Sequence, residues 1–350
     1  MSTPAQLGER VIVAASTLRG LGQAILGRLG LPERDAEVSV DCLVEADLRG
    51  VHSHGMVRLP SYVERLVQGG GNPRPNIRIT TQTDSSAVID GDNGLGQVVS
   101  GRGMELAIEK AHRTGVGIVG ARNSHHFGGC FYWAEMALPH GMIGVASTNC
   151  GPIMAPWGGR TGSLCNNPVG VAIPAGQELP IVLDMAMSVA AGGKLDLAIL
   201  QGEKIPLGWA TDPAGIPTQD PRLARAGLLL PAGGYKGYAA MVVLEVLAAV
   251  LMGARFGRQV EAQNPAIPRG IGHFFQAISV AAFMPLLEFE HRVDELIRQL
   301  KSSELAPGSE RIWLPGEMEF EKRAEYQVTG IPMLASVVRK LETMAVPGGI

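Results

Sequence analysis

The sequence predicts an α/β (α+β) fold in which a strand-rich middle is flanked by helical chain ends. Three observations predict it. Short apolar runs alternate with helix-period segments between about residues 75 and 285. The chain before and after that stretch carries helical spacing instead. The run Gly69-Gly70-Gly71, followed by Pro73 and Pro75, separates the first two regimes. The expected organisation is a helical N-terminal part over 1–72, an α/β domain over 73–285 and a C-terminal helical part over 286–350 that packs with the N-terminal region. A length of 350 residues is ample for two domains with real cores.

The elements follow in order. Residues 7 to about 70 read as helical: Val38, Val40, Leu43, Val44 and Leu48 recur near helical spacing, and Pro32 and Glu33 stand as a helix start. A second helix over 61–68 stops at the glycine run. Strands are expected at 87–90, 116–119, 142–146 and 180–184, and helices over 103–114 and 132–140. Gly91-Asp92-Asn93-Gly94-Leu95-Gly96 reads as a turn, either a hairpin or a strand-to-helix connection. The stretch 237–253 is apolar nearly all round, which predicts a buried helix. Phe289, Val293, Leu296 and Leu300 mark one face of an amphipathic C-terminal helix.

Composition narrows the function. Thirty basic against 33 acidic side chains leave a net charge of −3, which argues against nucleic acid. No apolar run approaches a membrane span. Four scattered cysteines with no CxxC pair, and no signal peptide, predict a reduced, soluble, cytoplasmic protein. Glycine is in excess, 46 of 350 residues, and 27 of those lie from Gly91 to Gly237. Backbone there must come close to something.

Gly115-Val116-Gly117-Ile118-Val119-Gly120 spells the dinucleotide fingerprint, but it follows a helix and lies within a strand-like run. The fingerprint needs the opposite order, strand before and helix after, so the match is set aside. Two polar clusters are stronger. Asp47-Leu48-Arg49-Gly50-Val51-His52-Ser53-His54-Gly55-Met56-Val57-Arg58 puts two imidazoles and two guanidiniums near a helix end. Asp47 with Arg49 reads as a solvated pair, and His52 as a packed core group. His54 can move a proton, and Arg58 can hold a carboxylate in bidentate fashion, with Arg49 next in reserve. Asn123-Ser124-His125-His126-Phe127-Gly128-Gly129 follows a strand, a common address for active sites. The histidines lack the spacing of metal ligands, so no metal is expected, and no GxSxG elbow supports a hydrolase. A lysine among glycines in Gly233-Gly234-Tyr235-Lys236-Gly237-Tyr238 suits an anion at a helix start.

These two clusters, with Ala155-Pro156-Trp157-Gly158-Gly159, Leu183-Asp184-Met185-Ala186, Ile205-Pro206-Leu207-Gly208-Trp209-Ala210, the Lys236 segment and Leu314-Pro315-Gly316, occur in an order that resembles the malate/L-lactate dehydrogenase family of the second, non-Rossmann type. That family includes ureidoglycolate and sulfolactate dehydrogenases, diketogulonate reductases and cyclic-ketimine-2-carboxylate reductases. The resemblance spans about residues 20 to 330. It implies a homodimer with a family-specific sheet domain for NAD or NADP. The implied reaction is hydride transfer at the carbon next to the carboxylate of a small 2-hydroxy, 2-oxo or imino acid. It implies His54 or His126 as acid/base and Arg58 as carboxylate anchor. It also implies cofactor contacts from Cys150, Asp184, Met185, Ala186, Lys236, Gly316 and Glu317. Two places depart from the family pattern: Cys165-Asn166-Asn167-Pro168 where Gly-Thr-Asn-Pro is usual, and Met187 where Thr follows Asp-Met-Ala. A metal-dependent hydrolase and a catalytically silent cofactor-binding protein are the rival readings.

Overall fold

A computed structural model describes residues 8–261 and 263–349; residues 1–7 of the expected N-terminal part and residue 350 lie outside these. Strand β1 (Arg10–Val13) leads into α1 (Ala15–Arg28) and α2 (Glu33–Leu48), and two short 3₁₀ turns carry the chain to α3 (Leu59–Val67). The hairpin β2 (Arg78–Gln82) and β3 (Ser86–Asp90) precedes α4 (Gly96–Thr114), β4 (Val116–Ser124) and α5 (Cys130–Glu135). Then come β5 (Met142–Thr148), β6 (Val169–Ile173) and β7 (Ile181–Met185). A smaller lobe holds α6 (Gly192–Gln201), β8 (Ala210–Thr211), α7 (Pro221–Ala226), β9 (Leu228–Leu229) and α8 (Tyr235–Glu245). The chain returns through β10 (Ile271–Ser279) and ends in α9 (Leu286–Lys301), α10 (Glu317–Thr329), β11 (Ile331–Leu334) and α11 (Ala335–Ala345).

The architecture is mixed α/β, as expected. A seven-stranded sheet runs in the order β2-β3-β4-β10-β5-β6-β7, with β3 and β4 parallel and the other neighbours antiparallel. Against it packs a core that includes Met104, Phe127, Trp133, Val119 and Phe275. A second core joins the two chain ends, with Leu18, Leu26, Leu43 and Leu59 meeting Ile331, Met333 and Leu341. A third, around Met154, Leu195, Ala210 and Met241, holds the smaller lobe.

Local chemistry accounts for the elements. Glu33 and Asp35 sit in the first turn of α2, where carboxylates favour the positive end of the helix dipole. Gly115 ends α4 in the left-handed region (φ 82°), a conformation that costs a side-chain-bearing residue strain. Gly117 and Gly120 lie inside β4; a Cβ on Gly117 would stand 1.9 Å from the Ala107 carbonyl oxygen. The literal GxGxxG is thus a set of packing contacts, Gly117 against α4 and Gly120 against Met252. The segment 91–96 is the strand-to-helix connection from β3 to α4.

Several expectations are corrected. Residues 10–13, within the stretch read as helical, form β1, which pairs with β11 and ties the chain ends together. The expected buried helix over 237–253 is α8 plus a π-helical turn (Val246–Val250), and one side is uncovered: Val243 is 57%, Val246 45%, Val250 48% and Leu251 62% exposed. In α9 the inward face is Val293, Asp294 and Ile297, while Leu296 and Leu300 stay exposed. The buried Asp294 explains the rotation, because its carboxylate accepts the backbone N–H groups of Gly176, Gln177 and Glu178. Among the described residues, no helix is long and apolar enough to cross a membrane.

Candidate active site

A cleft of about 450 Å³ opens between the C-terminal ends of the sheet strands, the 3₁₀ turns after α2 and the start of α10. Six of the expected site residues line it: His54, His126, Cys150, Asp184, Ala186 and Gly316. Most of the remaining wall is apolar, from Val51, Phe131, Val182, Leu183, Leu314 and Pro315.

The imidazoles of His54 and His126 stack with ring centres 5.5 Å apart. His126 Nδ1 lies 2.7 Å from the Tyr62 hydroxyl and 3.4 Å from the Gly128 backbone nitrogen. A backbone N–H only donates, and burial pushes the Tyr62 phenol up so that it keeps its proton. Nδ1 of His126 is therefore an acceptor, which assigns the ring proton to Nε2. Burial, then the neighbouring His54 and Arg58, hold His126 well below the ordinary imidazole range. His54 is half-buried on the cleft wall, with Ser53 Oγ 3.0 Å from its Nδ1; burial and then the Arg58 charge lower it to about 4. Both rings are neutral near pH 7. Arg58 is exposed beside them, its Nε donating to the Ser53 carbonyl at 2.6 Å.

The rest of the first cluster is scaffold. Asp47 and Arg49 do not form the solvated pair expected of them. Asp47 is fully buried and takes hydrogen bonds from His52 Nδ1 (2.8 Å) and the Met56 N–H (2.7 Å). Gly55 is required there, since a Cβ would meet that carboxylate at 2.2 Å. Arg49 is locked bidentately on Glu135 at 2.8 and 2.7 Å and sandwiched against Phe131 and Phe320, so it is no reserve anchor.

On the opposite wall Asp184 opens to the cleft yet lies deep in the chain. Burial raises it to about 6, against the N–H groups of Phe131 and Cys130. Gly129 and Gly316 bring backbone close: a Cβ on Gly129 would reach Asp184 Oδ2 at 3.2 Å, and one on Gly316 the Val182 carbonyl at 2.9 Å. Four expected residues fall outside the lining: Arg58, exposed beside the two imidazoles, and three others. Met185 points away, half-exposed. Lys236 is exposed in the first turn of α8, on the lobe whose Ala232 N–H bonds the Met187 carbonyl (2.9 Å) next to Ala186. Glu317 is buried, paired with Lys301 and Arg311, and accepts the Leu314 N–H at 3.0 Å; it shapes the turn instead of facing the cleft. Among the described residues, no group of three or more His, Cys, Asp or Glu is arranged to hold a metal.

The cysteines are the clearest correction to the reading of four isolated thiols. Cys150 and Cys165 are joined by a disulfide, with Cα atoms 5.3 Å apart, whereas Cys42 and Cys130 are free and buried. Spacing hid the pair, because β5 and β6 are antiparallel neighbours and the loop between them leaves and returns at one place.

A family model described as malate/L-lactate dehydrogenase matches residues 13–342. The chain belongs to the malate/L-lactate dehydrogenase family. It is 42% identical over 334 residues to a malate dehydrogenase of Pyrococcus horikoshii, covering 93% of this chain and 92% of that one. It is 34% identical over 331 residues to an Escherichia coli ureidoglycolate dehydrogenase (NAD(+)), covering 94% of each. The solved sulfolactate dehydrogenase of Methanocaldococcus jannaschii superposes with a TM-score of 0.91 at 40% identity, over 95% of this chain and 96% of that one. As a member of this family the protein is an oxidoreductase acting on a hydroxy acid, and the family implies a nicotinamide cofactor. The cleft fits one: its apolar walls suit a flat ring, and Thr148, Asn166 and Asp184 offer hydrogen-bonding partners for carboxamide and ribose hydroxyls.

Tyr62 and His273 escape the sequence reading. Tyr62 stands one helical turn after Arg58, on the same face, a signal that could have found it. His273, fully buried in β10, bridges Thr148 Oγ1 (2.8 Å) and Ser124 Oγ (2.7 Å); an imidazole inside an apolar strand gives no such signal.

Proposed function

We propose that the protein oxidises a small 2-hydroxy acid of the malate type to its 2-oxo acid, and runs the reverse reduction, with NAD or NADP. The observation that carries this reading is the juxtaposition of two neutral imidazoles and the Arg58 guanidinium at one end of the cleft. A bound nicotinamide supplies the hydride acceptor or donor. Arg58 turns from the Ser53 carbonyl to hold the substrate carboxylate bidentately. His126 presents its Nε2–H to the oxygen on C2, held in that tautomer by Tyr62 and Gly128. His54 takes the hydroxyl proton. The substrate carboxylate cancels part of the Arg58 charge that holds His54 down, so the base strengthens once substrate is seated.

Cys150, Asp184, Ala186 and Gly316 would flank the nicotinamide half of the cofactor, with Met185 and Glu317 supporting those turns. Lys236 would meet the outer part of the dinucleotide. We read the enzyme as a cytoplasmic homodimer, with the uncovered face of α8 meeting a second copy. The test is nicotinamide absorbance, followed with malate, lactate, ureidoglycolate and a cyclic ketimine acid, each with both cofactors. Malate should give the highest kcat/KM; turnover of none of the four with either cofactor overturns the reading.

A further inference from the structure

The geometry points to the Cys150–Cys165 pair as a reversible thiol–disulfide site that sets how well the cofactor side of the cleft is formed. Which molecule fills that side rests on the function proposed above; the bond itself does not.

The pair closes the neck of the long loop between β5 and β6, where Ser147 and Val169 are register partners. Cys150 faces the cleft, and Asn166, next to Cys165, lines it too. The Asn166 carbonyl also accepts the Met187 N–H at 2.7 Å, so this neck is continuous with the wall that carries Asp184 and Ala186. A separate network fixes the neck whatever the state of the sulfurs. Buried Glu245 accepts Asn149 Nδ2 (3.2 Å), Asn167 Nδ2 (2.7 Å) and the Gly257 N–H (2.8 Å). Asn149 adjoins Cys150, and Asn167 stands two residues after Cys165, so the two sulfurs are held face to face before any bond forms. Pre-positioning of this kind favours a fast intramolecular second step.

The two states differ in volume. A bonded sulfur pair occupies less room than two thiols in van der Waals contact. Cys165 is 0% exposed whereas Cys150 lines the cleft, so on reduction Cys150 is the sulfur with open space to give way into. The dithiol form therefore presses on the space that the disulfide form leaves for the nicotinamide half.

The chemistry balances with a low-molecular-weight disulfide such as glutathione disulfide as oxidant. The cleft-facing Cys150 thiolate attacks one sulfur of it, that S–S bond breaks and one glutathione thiolate leaves. The Cys165 thiolate then attacks the Cys150 sulfur of the mixed disulfide and expels the second glutathione. Two protein thiols are oxidised, one glutathione disulfide is reduced to two thiols, and the two protons end on the departing thiolates or in water. A dithiol reverses both steps.

The test uses the whole protein, equilibrated with glutathione disulfide or with dithiothreitol, quenched with an alkylating agent and mapped by peptide mass. The oxidised sample should show the Cys150 and Cys165 peptides linked, and the reduced sample should show both alkylated. Reduction should raise the KM for the nicotinamide cofactor several-fold with a smaller change in kcat, and glutathione disulfide should restore it. Cys165→Ala should lose that response, while the wild-type titration stands even if the variant folds poorly. Two alkylated thiols after oxidation, or a linked pair with unchanged cofactor KM, overturns the proposal. If no substrate turns over, cofactor binding to the two forms is read instead by the shift in melting temperature with NADH and NADPH. An absence of binding in both forms sinks the function proposed above and leaves the peptide map to judge the bond.

Discussion

The state of His126 is decided by its neighbours more than by its own chemistry. Because Tyr62 and Gly128 both donate to Nδ1, the neutral ring can only offer Nε2–H to substrate, and in the reaction proposed above proton abstraction would fall to His54. His126→Ala and His54→Ala should each lower kcat by about 10²-fold or more, and steady-state kinetics checks this. The two differ in pH dependence. Since the base must be unprotonated and free His54 lies at about 4, kcat/KM for hydroxy-acid oxidation should stay flat through neutrality and fall only near that value. The kcat limb should lie higher, because bound carboxylate offsets Arg58. A limb that survives in His54→Ala would give the role to another group. Arg58→Lys replaces a planar fork by a point charge, so the substrate KM should rise about tenfold, equivalent to about 1.4 kcal/mol, with little change in kcat.

At the scale of elements, the glycines of β4 show how a motif misleads and a packing constraint explains. Gly117→Ala drives a Cβ against the backbone of α4, where no side chain can swing aside. It should destabilise the protein by about 1–3 kcal/mol or more in denaturant unfolding while the cofactor KM of the folded fraction stays unchanged. A cofactor defect at full stability would restore the fingerprint reading. The order of elements around that strand, helix before and glycines within, made the distinction visible in the sequence alone. His54, His126 and Arg58 are legible for a similar reason: each sits in a dense polar run beside glycine, where few purely structural demands coincide. What escapes the sequence is what the sheet brings together from afar. β10 at the centre of the sheet and β6 beside its edge strand show too little polar–apolar alternation to mark them as strands. Cys150 meets Cys165 because the two strands that flank their loop run antiparallel. Glu317 belongs to a motif that reaches the cleft, yet its own side chain turns inward to Lys301 and Arg311.

At the scale of the whole molecule, two consequences of burial remain. Burial first of all lowers His125 and His273 to about 3, so the unfolded chain binds more protons than the native one between roughly the ordinary imidazole value of 6.5 and 3. Stability is therefore full above that window and is lost as pH falls through it. Asp184, raised to about 6, and the carboxyls of Asp35, Asp47 and Glu135, also raised by burial, work in the opposite sense. Against them, His54 and His126 join the two buried imidazoles, and Asp90, Asp294 and Glu317 are held below the usual carboxylate range. The melting temperature should drop progressively on acidification below about pH 6, and a flat profile down to pH 4 would contradict the burial of these rings. The second consequence concerns the face left bare. Val243, Val246, Val250 and Leu251 form one stripe at helical spacing, and exposed apolar stripes of this kind mark interaction sites. In the dimer proposed above a second copy of the chain would cover it, since closed twofold pairing buries the same stripe twice. Val246→Asp should convert the dimer to a monomer in light scattering. Because Glu245 on the same helix holds Asn149 and Asn167 at the neck beside the cleft, the monomer should also bind cofactor more weakly. A wild-type monomer, or a variant that still pairs, would move the interface elsewhere. Loss of pairing with unchanged cofactor affinity would show that the neck is held from within one chain.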